Sequence, residues 1–238
     1  MSDDTADKAL RAWSKMLNLS YEMEASRWSP DTNRDAVVGA FDEHNAWPDY
    51  DTYLFKDVPT GGFALEIGCG PGRNIVKFAS TFKRIDGADI ARNNLVQAIT
   101  WVSRHPGTPV PGLYHTNGYE LNGVPSDTYD TVFATISLQH VPVHDARLGI
   151  FRDAFRALKA GGWLCFQMAY GGGEGVGYYE NAYDFLGDVN IDNQDQILDT
   201  IQSVGFRNPS YDVTRSGPGD GRHPNWIWVR CQKPAASC

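Results

Sequence analysis

Apolar positions change rhythm along the chain. Residues 6–19 place Ala9, Leu10, Trp13, Met16 and Leu17 at helical spacing, the pattern of an amphipathic helix. Ser29-Pro30-Asp31 and Trp47-Pro48-Asp49 then punctuate an aromatic-rich stretch with little periodicity, so residues 1–60 read as an N-terminal helical cap. From about residue 62, short apolar runs alternate with helical segments, the mark of a mostly parallel sheet covered on both faces. Strands are expected near 62–67, 84–89, 110–115, 128–134 and 162–169, with helices near 73–82, 91–104 and 144–159 between most of them. A helix near 192–204 comes next, then two β-like runs, Pro209 to Ser216 and Trp226 to Gln232, joined by a turn-rich Gly-Pro-Gly-Asp-Gly-Arg-His-Pro segment. The expectation is an α/β, Rossmann-like, doubly wound and mostly parallel sheet of about seven strands. It ends in an antiparallel β-hairpin and carries the helical cap at its N-terminus.

Composition narrows the class. With 238 residues, a single domain over 1–238 is expected, the cap at 1–60 and the Rossmann-like core at 61–238. The formal net charge of -8 gives no general attraction to a phosphate backbone or an anionic membrane. Small molecules are therefore the expected partners, with neither nucleic acid nor membrane. Cysteines 69, 165, 231 and 238 show no C-x-x-C spacing and no zinc motif is present, so no metal is expected and reduced thiols in a cytoplasm are the default. The acidic, polar start of the chain is unlike a signal peptide, and no uncharged run reaches the length of a membrane span. Oligomeric state cannot be read from the pattern.

The clearest chemistry lies where the first core strand ends. Glu66-Ile67-Gly68-Cys69-Gly70-Pro71-Gly72 leads from strand to helix, and glycines there let backbone N–H groups and a helix start approach a ligand. A nucleotide-like ligand is implied. The dinucleotide fingerprint G-x-G-x-x-G is not met: the third glycine comes one residue early, at 72, and Arg73 stands in its place. NAD is thus the second choice of ligand, and a nicotinamide-dependent oxidoreductase only the third reading of function.

Leu65-Glu-Ile-Gly-Cys-Gly-Pro-Gly-Arg73 resembles motif I of the class I S-adenosylmethionine-dependent methyltransferases. The resemblance implies that the backbone of Gly68, Cys69, Gly70 and Gly72, with Arg73 beside it, lies under the methionyl part of S-adenosylmethionine. Glu66 would organise the cofactor's amino group. At the end of the second strand Asp89 can accept two hydrogen bonds from a ribose diol. It resembles the family's second motif, in which the next apolar residue, Ile90, packs on the adenine. Asp86 is its rival, but falls inside the strand and reads as a surface or edge charge.

After the third strand the family places an Asp on the adenine amino group, whereas this chain has Asn117-Gly118. The Asn117 amide oxygen could accept that bond while the neighbouring backbone serves the ring, and a simple turn is the alternative. The run Asp127 to Val141, Ile136 included, resembles the fourth-strand motif and the helix entry after it. The whole resemblance covers about residues 62–169.

In open α/β sheets the ligand sits beyond the carboxyl ends of the parallel strands, which selects Ser137 to His144, Tyr170 to Tyr183 and Gly217 to Trp226. Transfer of a methyl group from a sulfonium needs alignment above all. A hydroxyl acceptor must also lose a proton, and a histidine suits that duty. His140 is the catalytic candidate, and a capping or packing histidine is the alternative. His144, Tyr178, Tyr179, Tyr183, Arg222, His223 and Trp226 are candidate substrate contacts, fitting a hydroxylated ligand such as a sugar. Tyr21, Arg27 and Trp28 of the cap could close over the cofactor, with Arg27 reaching its carboxylate, a task for which Arg73 could compete. The function these features imply is methyl transfer to a small-molecule hydroxyl, with S-adenosylhomocysteine as product. An inactive, cofactor-binding methyltransferase-like subunit is the alternative from another class.

Overall fold

A computed structural model describes residues 3–26, 34–35, 39–40, 49–173, 183–216 and 222–235. The element order is α1 (Asp3–Ala25), β1 (Arg34–Asp35), β2 (Gly39–Ala40), a π-helical turn (Tyr50–Leu54), β3 (Phe63–Ile67), α2 (Arg73–Lys77), β4 (Arg84–Asp89), α3 (Arg92–Ser103) and β5 (Leu113–His115). Then come β6 (Tyr129–Ala134), a 3-10 turn (Leu138–His140), α4 (His144–Ala157), β7 (Leu158–Tyr170), α5 (Asp195–Val204), β8 (Arg207–Arg215) and β9 (Asn225–Gln232).

Seven strands form one sheet in the order β5-β4-β3-β6-β7-β9-β8. The pairs from β5 across to β7 are parallel, while β7–β9 and β8–β9 are antiparallel. This is the expected doubly wound sheet with its terminal hairpin. The order reverses between β3 and β6, so the carboxyl ends of β3, β4 and β6 border one crevice, the ligand position of open α/β sheets. Beneath it β3 and β6 are buried almost throughout, with Leu65, Val132 and Phe133 fully so, as a sheet covered on both faces requires. Among the described residues no helix is long and apolar enough to cross a membrane.

Two strand starts differ from the expected ones by three residues or more. The third core strand, expected from 110, starts at Leu113: Pro111 has no N–H to donate, and the Gly112 N–H goes to the Asp86 carboxylate at 2.7 Å. The same contact corrects the reading of Asp86 as a surface charge. It is fully buried and also accepts from Tyr129 Oη at 2.8 Å and the Arg84 guanidinium. β7 begins at Leu158, four residues before the expected start, and its register on β6 shifts between Tyr129 and Thr131. Helix α1 extends six residues past the expected 19 because other elements hold its end: Gln97 Nε2 donates to Ala25 O at 2.8 Å.

Candidate active site

The glycine segment turns sharply out of β3. Gly68, Gly70 and Gly72 all have positive φ (68°, 52° and 85°), values that favour glycine. Gly68 and Cys69 donate their N–H groups to Ala88 O at 2.8 and 3.1 Å, tying the turn to β4. A Cβ on Gly68 would lie 2.5 Å from that of Ser137, whereas one on Gly70 would meet nothing within 4 Å. The open side of the turn is therefore at Gly70, facing a cleft lined by Glu66, Gly68, Cys69, Gly70, Arg73, Asp89, Ile90, Thr116, Gly118, Leu121 and Ile136.

Of the carboxylates lining this cleft, Glu66 and Asp89 stand at the ends of β3 and β4, each fixed in place. Glu66 is buried, and Asn74 Nδ2 donates to its Oε1 and to Thr135 Oγ1, both at 2.7 Å. Asp89 accepts the Gly70 N–H on Oδ2 at 2.8 Å, and the Ala91 N–H and Asn94 Nδ2 on Oδ1 at 2.8 and 3.1 Å. The carboxyl groups of Glu66 at the end of β3 and Asp89 at the end of β4 suit a ligand carrying an amino group and a diol. Burial pushes the Cys69 thiol well above its usual range, so it sits there as a neutral thiol. Arg73 is buried with its guanidinium 5.2 Å from the centre of the Tyr50 ring.

Other expected positions fall elsewhere. Gly72 does not line the cleft: it is the N-cap of α2, packed on Ala98. Asn117 is also outside the lining. Its amide oxygen accepts from the Tyr119 and Glu120 N–H groups at 3.1 and 2.7 Å, a local turn of the kind Asn favours, and the cleft is lined there by Thr116, Gly118, Glu120 and Leu121. Arg27, Trp28, Tyr178 and Tyr179 lie outside the described residues.

Helix α1 covers the cleft with Leu17, Tyr21, Glu24 and Ala25. Hydrogen bonds seat it: Ser14 Oγ donates to Asn117 O and Asn18 Nδ2 to Ile90 O, both at 2.6 Å. Glu22 accepts the N–H groups of Arg92 and Asn93 at 2.6 and 3.1 Å, capping the first turn of α3 with a carboxylate. Burial, reinforced by the carboxylates of Asp188, Glu24 and Asp89, pushes the Tyr21 phenol far above its usual range, so it stays a neutral hydroxyl.

A second compartment adjoins the first, lined by Tyr21, Glu24, Gln139, His140, Asp188, Arg222, His223 and Trp226. His140 lines both compartments at the end of the 3-10 turn after β6. Ile136, at φ 47°, and Ser137, whose hydroxyl donates to Ile67 O at 3.1 Å, lead into that turn. His140 Nδ1 lies 2.5 Å from Asp188 Oδ1, and its Nε2 is buried with no hydrogen-bond partner among the described residues. His223 Nε2 lies 3.2 Å from the other Asp188 oxygen, and Trp226 stands beside His223 with ring centroids 5.4 Å apart. Burial alone would raise the Asp188 carboxyl, but hydrogen bonds from the two histidines outweigh it and hold it well below the usual range.

The remaining two candidates leave the compartments. His144 opens α4 and lines neither. Tyr183 also lines neither: its hydroxyl donates to Asp145 Oδ2 at 2.8 Å, and burial together with that carboxylate pushes the phenol up to about 12. Sequence reasoning missed Asn74, Thr135 and Asp188. Asn74, one residue into α2, could have been sought as the donor a buried Glu66 requires; Asp188 carries no local signal, since its partners lie 48 and 35 positions away.

Comparison with known proteins adds an independent line. Residues 65–166 match the model of the methyltransferase domain family. The curated protein "Probable methyltransferase ltbC" of Aspergillus luteorubrus is 32% identical over 120 residues, 47% of this chain and 41% of that protein. This chain thus spans about two fifths of that relative's length. Among solved structures, a SAM-dependent methyltransferase of Methanosarcina mazei superposes with a TM-score of 0.61 at 18% identity, covering 80% of this chain and 99% of that one. Phosphoethanolamine N-methyltransferase 2 of Haemonchus contortus, in complex with S-adenosyl-L-methionine, gives 0.61 at 18% identity over 91% of this chain and 56% of that one. At such identities the structural likeness speaks for the fold.

Proposed function

We propose that the chain, whose residues 65–166 match the methyltransferase domain family, transfers a methyl group from S-adenosylmethionine to a hydroxyl of a small molecule, such as a sugar or related metabolite. We read residues 1–238 as one domain, with 1–60 as its cap. The observation that carries the proposal is the pairing of two fixed carboxylates, Glu66 and Asp89, around a glycine turn that is open at Gly70, next to a compartment bordered by a histidine whose Nε2 has no hydrogen-bond partner among the described residues.

These residues fit the cofactor. Glu66 would hold its amino group, Asp89 its ribose diol, and Ile90, Gly118 and Leu121 the adenine; Cys69, Arg73 and Ile136 complete the wall. S-adenosylmethionine supplies a methyl group on a positively charged sulfonium and leaves as S-adenosylhomocysteine. The chain's own part is alignment and proton removal. Tyr21 and the rest of α1 exclude water over the junction of the compartments. His140 takes the hydroxyl proton on Nε2 as the acceptor oxygen forms its bond to carbon, and returns it to solvent after release. Trp226 offers a ring face and Arg222 an exposed cation at the acceptor's far end.

A screen of sugars, nucleotide sugars and small acids with S-adenosylmethionine, read by S-adenosylhomocysteine release, tests the activity. His140→Gln should lower turnover of the acceptor so found by about 10²–10⁴-fold; near-normal turnover removes His140 from the mechanism. Cofactor binding with no release on any acceptor would favour the inactive subunit instead.

A further inference from the structure

Asp188 and its neighbours form a device around His140. Asp188, mostly buried with a side chain 15% exposed, offers one oxygen to each of two histidines: Oδ1 to His140 Nδ1 at 2.5 Å and Oδ2 to His223 Nε2 at 3.2 Å. His223 is held in turn, with Nδ1 2.8 Å from Asn190 Oδ1. The fully buried Asn190 donates its Nδ2 to Arg222 O at 2.8 Å, which sets the direction of its amide. The backbone fixes the same arrangement: Val189 N–H donates to Gln139 O at 2.9 Å, beside His140, and Ile191 N–H to Ala169 O at 3.0 Å on β7. The distance from Asp188 to His140 is thus set by rigid neighbours on both sides, as a supporting shell must be. Arg222, exposed and 3.5 Å from the carboxylate, adds little.

An ionised carboxylate only accepts, so a neutral histidine bonded to it through Nδ1 carries its proton there and keeps its lone pair on Nε2. We propose that Asp188 is a positioning residue that fixes His140 as the Nδ1–H tautomer, leaving Nε2 to accept a proton, and that His223 holds Asp188 in place. His223 thereby serves the base, since both of its ring nitrogens already face acceptor oxygens, in place of the substrate contact its sequence position suggested. The proposal rests on the reading of His140 as the base.

Histidine tautomers are read directly by nitrogen NMR, with no acceptor required. In the full chain labelled with ¹⁵N-histidine, the His140 signals are assigned by their loss in His140→Gln. Expected in the parent protein is a protonated Nδ1, with a far-downfield proton, and an unprotonated Nε2. In Asp188→Ala, native by near-ultraviolet circular dichroism, the downfield proton disappears and the ring moves towards Nε2–H; Asp188→Leu repeats the measurement should Ala not fold. In His223→Gln the His140 tautomer is kept, but its Nδ1 proton moves upfield and exchanges faster. On an acceptor from the screen, Asp188→Ala should lose about 10–100-fold in kcat with S-adenosylhomocysteine affinity within threefold of the parent. Nε2–H in the parent protein, or an unchanged His140 spectrum in Asp188→Ala, overturns the positioning role. Near-normal turnover by His140→Gln with the expected tautomers overturns the base reading separately.

Discussion

Charges taken out of water do the sorting at single residues. Glu66 is buried and holds Asn74; on the proposed reading, neutralising it removes a charge-assisted contact to the cofactor's amino group. Such contacts contribute about 1.5–3 kcal/mol, and Glu66→Gln should weaken S-adenosylmethionine binding by about 10–100-fold in calorimetry, with the melting temperature nearly unchanged; unchanged affinity would show that Glu66 holds only Asn74. Asp188 supplies the pH dependence. Its carboxyl is depressed by the two histidines against the effect of burial, so its stabilising contribution is fully present above the ordinary carboxylate range near pH 4. That contribution fades as pH falls towards the folded-state value. Denaturant titrations should therefore show a stability gap between the parent and Asp188→Ala that is widest above about pH 5 and narrows steadily in acid. The strand-end places of Glu66 and Asp89 were legible because each stands next to glycines or an apolar cap. At Asn117 two readings stood side by side, because a side chain that can serve an adenine can also close its own turn, and the structure has the turn. Asp188 was invisible because its meaning is its distance to His140 and His223.

Among the elements, α1 links stability to the site. Trp13 is fully buried and donates Nε1 to Phe185 O at 3.1 Å, while Glu22 caps α3 from further along the same helix. Trp13→Ala should cost about 3–5 kcal/mol by chemical denaturation, and Glu22→Ala about 1 kcal/mol, with faster amide exchange confined to the first turn of α3. Equal exchange in parent and variant would mean that water serves the α3 start as well as Glu22 does. The pattern along the chain gave the existence of α1 from Trp13, Met16 and Leu17 but placed its end at 19. The last turns are held by Gln97 and by the α3 N-terminus, contacts made across 70 or so positions. Local chemistry likewise trimmed the third core strand at Pro111 and Gly112, where a missing N–H and a side-chain acceptor override an apolar run.

For the whole molecule, alternation of buried strands and amphipathic helices settled the sheet, because a parallel strand covered on both faces leaves a continuous apolar run. The cleft at Gly70 derives from that sheet, since its groups sit on consecutive strand ends. The second compartment does not. Its walls come from α1, the turn after β6, residues 186–188 and residues 222–226, and no spacing rule ties those four segments together. Whether the cleft takes S-adenosylmethionine is settled by titrating the purified chain with it in a calorimeter, with NAD as the control. Saturable one-to-one binding of S-adenosylmethionine is expected, abolished or strongly weakened in a Glu66→Ala, Asp89→Ala double variant, with no binding of NAD. Binding of NAD with none of S-adenosylmethionine would overturn the assignment of the cleft.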